Sequence, residues 1–342
     1  MNPARRILAL VGAVVTLLIG LIVFLPREQE KRETIRVVYV KYLSFAPLFI
    51  AYEEGFFEAE GLDVELLSVT GIYTTIPSLV QGEVDVLPAA IMPAYFNIIS
   101  RGGLMKIVAG KGHNSAGGCA YSGLMVRRKL IESGEVSKPS DLAGRRVSTE
   151  RIAPSYLWAE KYLQSGGLSM DDLEVIDIPI PARLGAFENG SLDLTTASEP
   201  WLTRFSRDGH SVLLARSSDI LPNYQFGYLL FGKTLLEDRR EAGQKFILAY
   251  LKAVRHMNSE GKTDRQIEIL SKYTGLDKEL LKDACWPSIR DDGRVQTSSL
   301  DIFQQWALKQ DLISEITDVK VLYDSRFIEA ANQLLDDNFE QN

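Results

Sequence analysis

From Ile35 onward, short apolar runs alternate with stretches of helical spacing. Residues 35–40 are apolar apart from Arg36, the pattern of a strand covered on both faces. Residues 46–60 carry a helical pattern closed by Gly61, and residues 64–67 read as a second strand. A helix over 73–81, stopped by Gly82, leads to a third strand over 84–87. A helix over 93–100 then precedes a strand over 106–109. Strand–helix–strand alternation predicts parallel pairing through right-handed crossovers.

The second half repeats this scheme. Gln81-Gly82-Glu83-Val84-Asp85-Val86 recurs 108 positions later as Asn189-Gly190-Ser191-Leu192-Asp193-Leu194. Ala46-Pro47 recurs after 107 positions as Ala153-Pro154, and Gly61-Leu62 after 106 as Gly167-Leu168. Three matches in the same order at a nearly constant offset point to two copies of one βαβαβα unit. The second copy is expected as strands over 146–148, 173–178 and 192–195, with helices over 155–165, 182–188 and 200–207. Residues 121–126 and 226–231 are the expected crossovers between copies, and 110–118, rich in glycine, reads as a mobile loop entering that hinge, with a ligand-touching role as the alternative. Helical patterns over 241–259, 264–273, 278–285, 300–309 and 325–338 are expected to pack onto the lobes. The predicted fold class is therefore α/β, with two parallel-sheet lobes joined by two crossovers. One lobe spans 34–121 and 224–342, the other 122–223.

The N-terminus adds a topological message. Arg5 and Arg6 precede an uncharged apolar run over 7–25, closed by Pro26 and Arg27. That run is long enough to cross a bilayer, with the arginines favouring a cytoplasmic leading end. Residues 1–27 are thus expected to act as a signal anchor or signal peptide, and the body to be exported. The formal charge is −7, with 38 basic and 45 acidic residues. Removing the three arginines of residues 1–27 leaves 35 basic against 45 acidic, or −10 for the body. An acidic body without a basic stripe argues against nucleic acid as partner. Cys119 and Cys285 are the only cysteines. A disulfide stays open for an exported chain, although two isolated cysteines are more often small buried apolar residues.

Arrangements for catalysis are missing. His113, His210 and His256 lie apart, and no Cys-x-x-Cys, His-Glu-x-x-His or Gly-x-Ser-x-Gly occurs. The glycine-rich stretch fails both phosphate-loop patterns. No catalytic group, metal or cofactor is expected. Binding suits the architecture better: in parallel sheets, ligands sit at the C-terminal strand ends, where helix N-termini offer free N–H groups. Two such sheets facing one another form a cleft. There Ser44, Thr70, Ser148, Thr149 and Ser198 stand either as ligand partners or as N-caps. Phe45, Tyr73, Tyr156 and Trp201 are ligand walls or core residues. Arg151 and Arg183 suit an anionic head group or plain surface. Glu199 either stabilises a helix N-terminus or holds a cationic ligand group.

The run from Pro47-Leu48-Phe49-Ile50-Ala51 through Glu54-Gly55-Phe56-Phe57-Glu58-Ala59-Glu60-Gly61-Leu62 resembles the opening of nitrate/sulfonate/taurine-type binding proteins of ABC transporters, a family that includes binders of the thiamine pyrimidine precursor. Gln81-Gly82-Glu83-Val84-Asp85, Asp141-Leu142-Ala143-Gly144-Arg145-Arg146-Val147 and Glu199-Pro200-Trp201 fall where that family has similar motifs. The resemblance implies a type II periplasmic-binding fold that closes on its ligand. Its ligand loops match Ser44 and Phe45, Thr70, Gly71 and Tyr73, Ala89 and Ala90, Ser148 and Thr149, and Glu199. The implied function is extracytoplasmic binding of a small organic solute, sulfonate-, amine- or pyrimidine-like, for delivery to an ABC transporter permease. The apolar N-terminal run leaves a membrane-tethered sensor as the alternative. A thiamine-pyrimidine-type biosynthetic enzyme fits less well, since its cysteine-rich metal-binding run has no counterpart here.

Overall fold

The computed structural model describes residues 32–340. The expected anchor over 1–27 lies outside them, and no helix among the described residues is long and apolar enough to cross a membrane. Among the described residues, ten strands form two five-stranded sheets. The strands are β1 (Glu33–Tyr39), β2 (Leu62–Ser68), β3 (Val86–Ala90), β4 (Met105–His113), β5 (Ser122–Arg127), β6 (Arg146–Ser148), β7 (Glu174–Val175), β8 (Leu194–Ser198), β9 (Ser211–Arg216) and β10 (Gln225–Gly232). The first sheet has the order β2-β1-β3-β10-β4 and the second β7-β6-β8-β5-β9.

The two orders are the same when the copies are overlaid, with one exchange: the fourth strand of each sheet is the crossover arriving from the other lobe. β10 lies antiparallel to both β3 and β4, with Tyr228 opposite Ala89 and Leu229 opposite Ala109. β5 lies antiparallel to β8 and β9, with Leu124 opposite Thr196. The sheets are therefore mixed, and the expectation of purely parallel lobes is corrected. Parallel pairing does hold between β1 and β3, β6 and β7, and β6 and β8. An arriving crossover can satisfy its buried N–H and C=O groups only by joining the sheet, so a bare linker is not available at this depth.

The sequence repeat has a side-chain cause. Asp85, fully buried, accepts from the Arg36 backbone N–H (2.8 Å) and Nε (3.2 Å), while the same guanidinium donates to the Gly82 carbonyl (2.7 Å). Asp193 accepts from the Arg146 N–H (3.1 Å) and Nε (3.0 Å), and Arg146 donates to the Gly190 carbonyl (2.6 Å). A second arginine completes each clamp, Arg239 on Asp85 and Arg127 on Asp193, both at 2.8 Å. These arginines follow or end the exchanged strands, so each clamp ties the incoming crossover to the host lobe.

Packing follows the period of the strands. In β5, Leu124 and Val126 face one apolar cluster with Trp158 and Leu163, while Met125 faces another with Phe187 and Phe205. The first sheet shares one larger core with the C-terminal helices, of which Arg240–Glu260 buries Phe246, Ile247, Tyr250, Leu251 and Val254.

Other boundaries moved for local reasons. The helix expected over 46–60 breaks at Glu53, because Gly55 turns left-handed (φ 72°) before a short second helix, Phe56–Ala59. The strand expected over 173–178 shrinks to Glu174–Val175. β9 was not anticipated. Residues 110–113 belong to β4, so the glycine-rich stretch is not a loop from its start. Gly112 is there because a side chain would meet the Phe226 ring, 2.8 Å from where its Cβ would sit. Cys119 and Cys285 are joined, with Cα atoms 5.6 Å apart, which settles the open question against two free apolar residues.

Candidate functional site

A cavity of about 310 Å³ lies between the lobes, at the C-terminal ends of β1, β3, β6 and β8. Both crossovers form part of it. Tyr121, just before β5, stacks on Phe226 of β10 with ring centroids 5.4 Å apart and planes within 3°. From the first lobe come Tyr42, Ser44, Phe45, Thr70, Gly71 and Tyr73 on the loops after β1 and β2, with Ala89 and Ala90 at the end of β3. From the second come Glu150, Ala153, Pro154 and Trp158 around the start of the helix Pro154–Gln164. Thr196, Ala197 and Ser198 at the end of β8, and Trp201 opening the helix Trp201–Asp208, complete that wall. Eight aromatic side chains line the space: Tyr42, Phe45, Tyr73, Tyr121, Trp158, Trp201, Tyr224 and Phe226.

Lys111 is the buried basic side chain of the site. β4 carries it into the cavity, 3 % exposed. Its Nζ donates to Ser44 Oγ at 2.7 Å, with the Ser44 carbonyl at 3.4 Å, and sits 3.9 Å from the centre of the Phe45 ring. Neither partner carries a negative charge. Burial alone pulls its pKa from 10.5 down to about 7. Burial also pushes the Tyr42, Tyr121 and Tyr224 hydroxyls up, and the Tyr73 hydroxyl up to about 12, so these four remain neutral donors. The Tyr224 hydroxyl is buried without a hydrogen-bond partner.

Glu150, on the opposite wall, is already balanced. Arg183 donates from NH2 to Glu150 Oε1 at 2.8 Å. The same guanidinium reaches the Ile178 carbonyl (2.8 Å) through Nε, and Thr195 Oγ1 (2.9 Å) and the Thr196 carbonyl (3.3 Å) through NH1. Arg183 is 3 % exposed, so the reading of it as a surface residue or a free anion partner is corrected.

Of the residues singled out from sequence, Ser44, Phe45, Thr70, Gly71, Tyr73, Ala90, Ser198 and Trp201 are brought together around the cavity. Five others do not line it. Ser148 is buried and bridges the edge of the sheet, accepting from the Ile178 N–H (3.2 Å) through its Oγ. Thr149 shares a hydroxyl hydrogen bond with Thr196 at 2.9 Å. Arg151 is exposed on a turn, and Tyr156 packs against Trp306, ring centroids 6.0 Å apart. Glu199 is 1 % exposed and accepts from Thr203 Oγ1 (2.7 Å), Thr203 N (3.1 Å) and Cys285 N (3.0 Å). Burial raises its pKa against those donors. It is a helix-start acceptor that ties the second lobe to the disulfide segment.

Sequence reasoning placed Tyr42, Glu150 and Lys111 in segments near the cleft without singling them out, and missed Tyr121 and Tyr224. For Lys111 the signal was present: Gly110-Lys111-Gly112-His113 alternates small and large with period two, as a strand does where other backbone comes close. For Glu150 no local signal existed. Among the described residues, no group of three or more His, Cys, Asp or Glu side chains is arranged to hold a metal ion.

Residues 28–271 match the NMT1-like family. The bicarbonate-binding protein CmpA of Synechococcus elongatus is 21% identical over 259 residues, covering 70% of this chain and 57% of CmpA, little more than half its length. Among solved structures, the ligand-binding component of an ABC-type import system from Staphylococcus aureus superposes with a TM-score of 0.73 at 15% identity, covering 87% of this chain and 99% of that one. The periplasmic nitrate-binding protein NrtA from Synechocystis PCC 6803 gives a TM-score of 0.72 at 17% identity, covering 88% and 89%. The two-lobed periplasmic-binding fold follows from these likenesses.

Proposed function

The chain belongs to the NMT1-like family, and from that premise we propose that it captures a small organic solute outside the cytoplasm and presents it, by closure of its two lobes, to an ABC transporter permease. The observation that carries this reading is the cavity between the lobes, walled by eight aromatic side chains and reached by both crossovers. Aromatic walls favour a ligand with a flat or apolar body, because water displaced from such walls is regained by ring contacts. CmpA and NrtA are named for bicarbonate and nitrate. Neither ion has a body to meet eight rings, so the relatives' ligands are carried over only as far as small solutes. The nitrate/sulfonate/taurine resemblance supports the permease as partner, and the apolar run over 7–25 supports retention at the membrane.

A thermal-shift panel on the purified full chain tests this. It holds nitrate, bicarbonate, taurine, alkane- and arylsulfonates, aromatic carboxylates, pyrimidine amines and polyamines. A ligand that binds only the native state raises the melting temperature with its excess over Kd. The expected hit carries a ring or apolar body and is recovered unaltered by mass spectrometry. A chemically altered ligand, or stabilisation by inorganic anions alone, overturns the reading.

A further inference from the structure

The charge balance of the cavity walls narrows the ligand. Among the described residues, the charged side chains bordering the cavity are Lys111 and Glu150. Glu150 is neutralised by Arg183, which the second lobe holds with four hydrogen bonds. Lys111 has only the Ser44 hydroxyl and carbonyl and the Phe45 ring around its nitrogen, and its ionisation is displaced by burial alone, with no acid contributing. The walls thus carry one basic group with no acidic partner, an amine that an anion can hold in its protonated form. Tyr224, which also borders the cavity, has a buried hydroxyl without a hydrogen-bond partner among the described residues. The Lys111 amine, beyond its bond to Ser44, has donor capacity left for an acceptor in the cavity.

We infer that the ligand is a monovalent organic anion whose charged head is held by Lys111, and that binding draws a proton from solvent onto the Lys111 amine. This rests on the proposed function and deepens it. The step balances simply: the neutral amine takes one proton from water or buffer, and the ammonium then pairs with the anion. Lysine serves because its amine can lose the proton when the ligand leaves, whereas arginine cannot. The ligand-free cavity is thereby spared a bare buried charge. The other titratable groups facing this space do not compete. Tyr42, Tyr73, Tyr121 and Tyr224 stay protonated, because burial raises each of them. Glu150 is held by Arg183, Glu199 lies behind Tyr121 with its own three donors, and His113 faces the neighbouring small cavity beside Ser288.

The test uses paired probes on the full chain: benzoate with benzamide, benzenesulfonate with benzenesulfonamide, and nicotinate with nicotinamide. Nitrate and bicarbonate serve as ring-free anions. Isothermal titration at pH 8 in phosphate and in Tris separates proton uptake from binding heat. The expected result is binding by acids but not by their amides, with roughly one proton taken up per ligand at pH 8. Affinity should fall about 100-fold between pH 6 and pH 9, following the loss of the lysine charge in the free protein. Lys111→Met should abolish acid binding, while Lys111→Arg should retain binding and lose the proton uptake. Equal binding of acids and amides, or acid binding without proton uptake, overturns this inference and leaves the proposed function standing. Binding by nitrate or bicarbonate alone, with proton uptake, keeps Lys111 as an anion anchor but overturns the organic ligand and the proposed function. No binding by any of these acids overturns this inference, while a hit among the neutral or cationic members of the wider panel leaves the proposed function standing.

Discussion

The two walls of the cavity each bring a charged side chain to the ligand space, and they treat that charge in opposite ways. On the second lobe, Glu150 meets Arg183, whose Nε and NH1 donors are taken by Ile178, Thr195 and Thr196. On the first, Lys111 meets a hydroxyl, a carbonyl and a ring face. The paired charge belongs to the scaffold, since it is satisfied whether or not a ligand is present. The unpaired one weakens the empty protein and is compensated only from outside. A buried group left short of partners thus marks the place where the ligand completes the structure.

The largest effect that would break this contrast comes from removing the uncompensated charge. Lys111→Met should stabilise the ligand-free protein at pH 6 by roughly 3–5 kcal/mol, measured by urea unfolding. The sign follows from the protons bound. The unfolded lysine keeps its proton to about 10.5, while the folded one releases it near 7, so between those values the unfolded state binds more. Wild-type stability from this group is therefore lowest below pH 7 and rises towards pH 10, and the advantage of the variant shrinks across the same window. A variant less stable than wild type at pH 6 would show that Lys111 is not under-compensated.

Arg183→Met attacks the other wall and should have the opposite sign. It strands Glu150 and three further acceptors, at a cost of about 2 kcal/mol in the same unfolding measurement, moderated because Glu150 is partly in solvent. Glu150→Gln sharpens the contrast further. It should lower stability by about 1 kcal/mol and leave the affinity for an anionic ligand within about threefold, by calorimetry, because Glu150 is spoken for. The smallest effect concerns closure. Trp306 Nε1 and Gln310 Nε2 donate to Glu160 on the cavity-side helix at 2.9 and 3.1 Å, bridging the lobes. Trp306→Phe removes one of these bonds and should weaken ligand affinity by about threefold, through a faster off-rate seen by stopped flow.

Much of the fold was legible because its signals are local and repeated. The crossovers expected over 121–126 and 226–231 appear as β5 and β10, since a run apolar on both faces has few other homes. The repeat of Gln81-Gly82-Glu83-Val84-Asp85 as Asn189-Gly190-Ser191-Leu192-Asp193 is a pair of arginine–aspartate clamps at matching places in two sheets. What the repeat did not disclose was the second arginine of each clamp, Arg239 and Arg127, because those arrive from the opposite crossover.

The site was less legible, and Glu199 shows why. A glutamate at the end of a strand before a helix has the same local pattern whether it faces a ligand or caps the helix. Here the Cys285 segment, 86 positions away, supplies a third donor and closes it off. The disulfide of Cys119 with Cys285 spans 166 positions, and nothing near either cysteine announced it.

The sequence by itself determined the alternation of elements, the doubling of the unit, the two crossings between lobes and the loops that converge on the cleft. These depend on periodicity and on residues that set local backbone shape, both of which act over a few positions. Only the tertiary structure decided that the crossovers enter the sheets antiparallel, that Glu150 is neutralised and that Lys111 is not. Whether a charge is compensated depends on which distant side chains come within a few ångströms of it, and chain order does not record that distance.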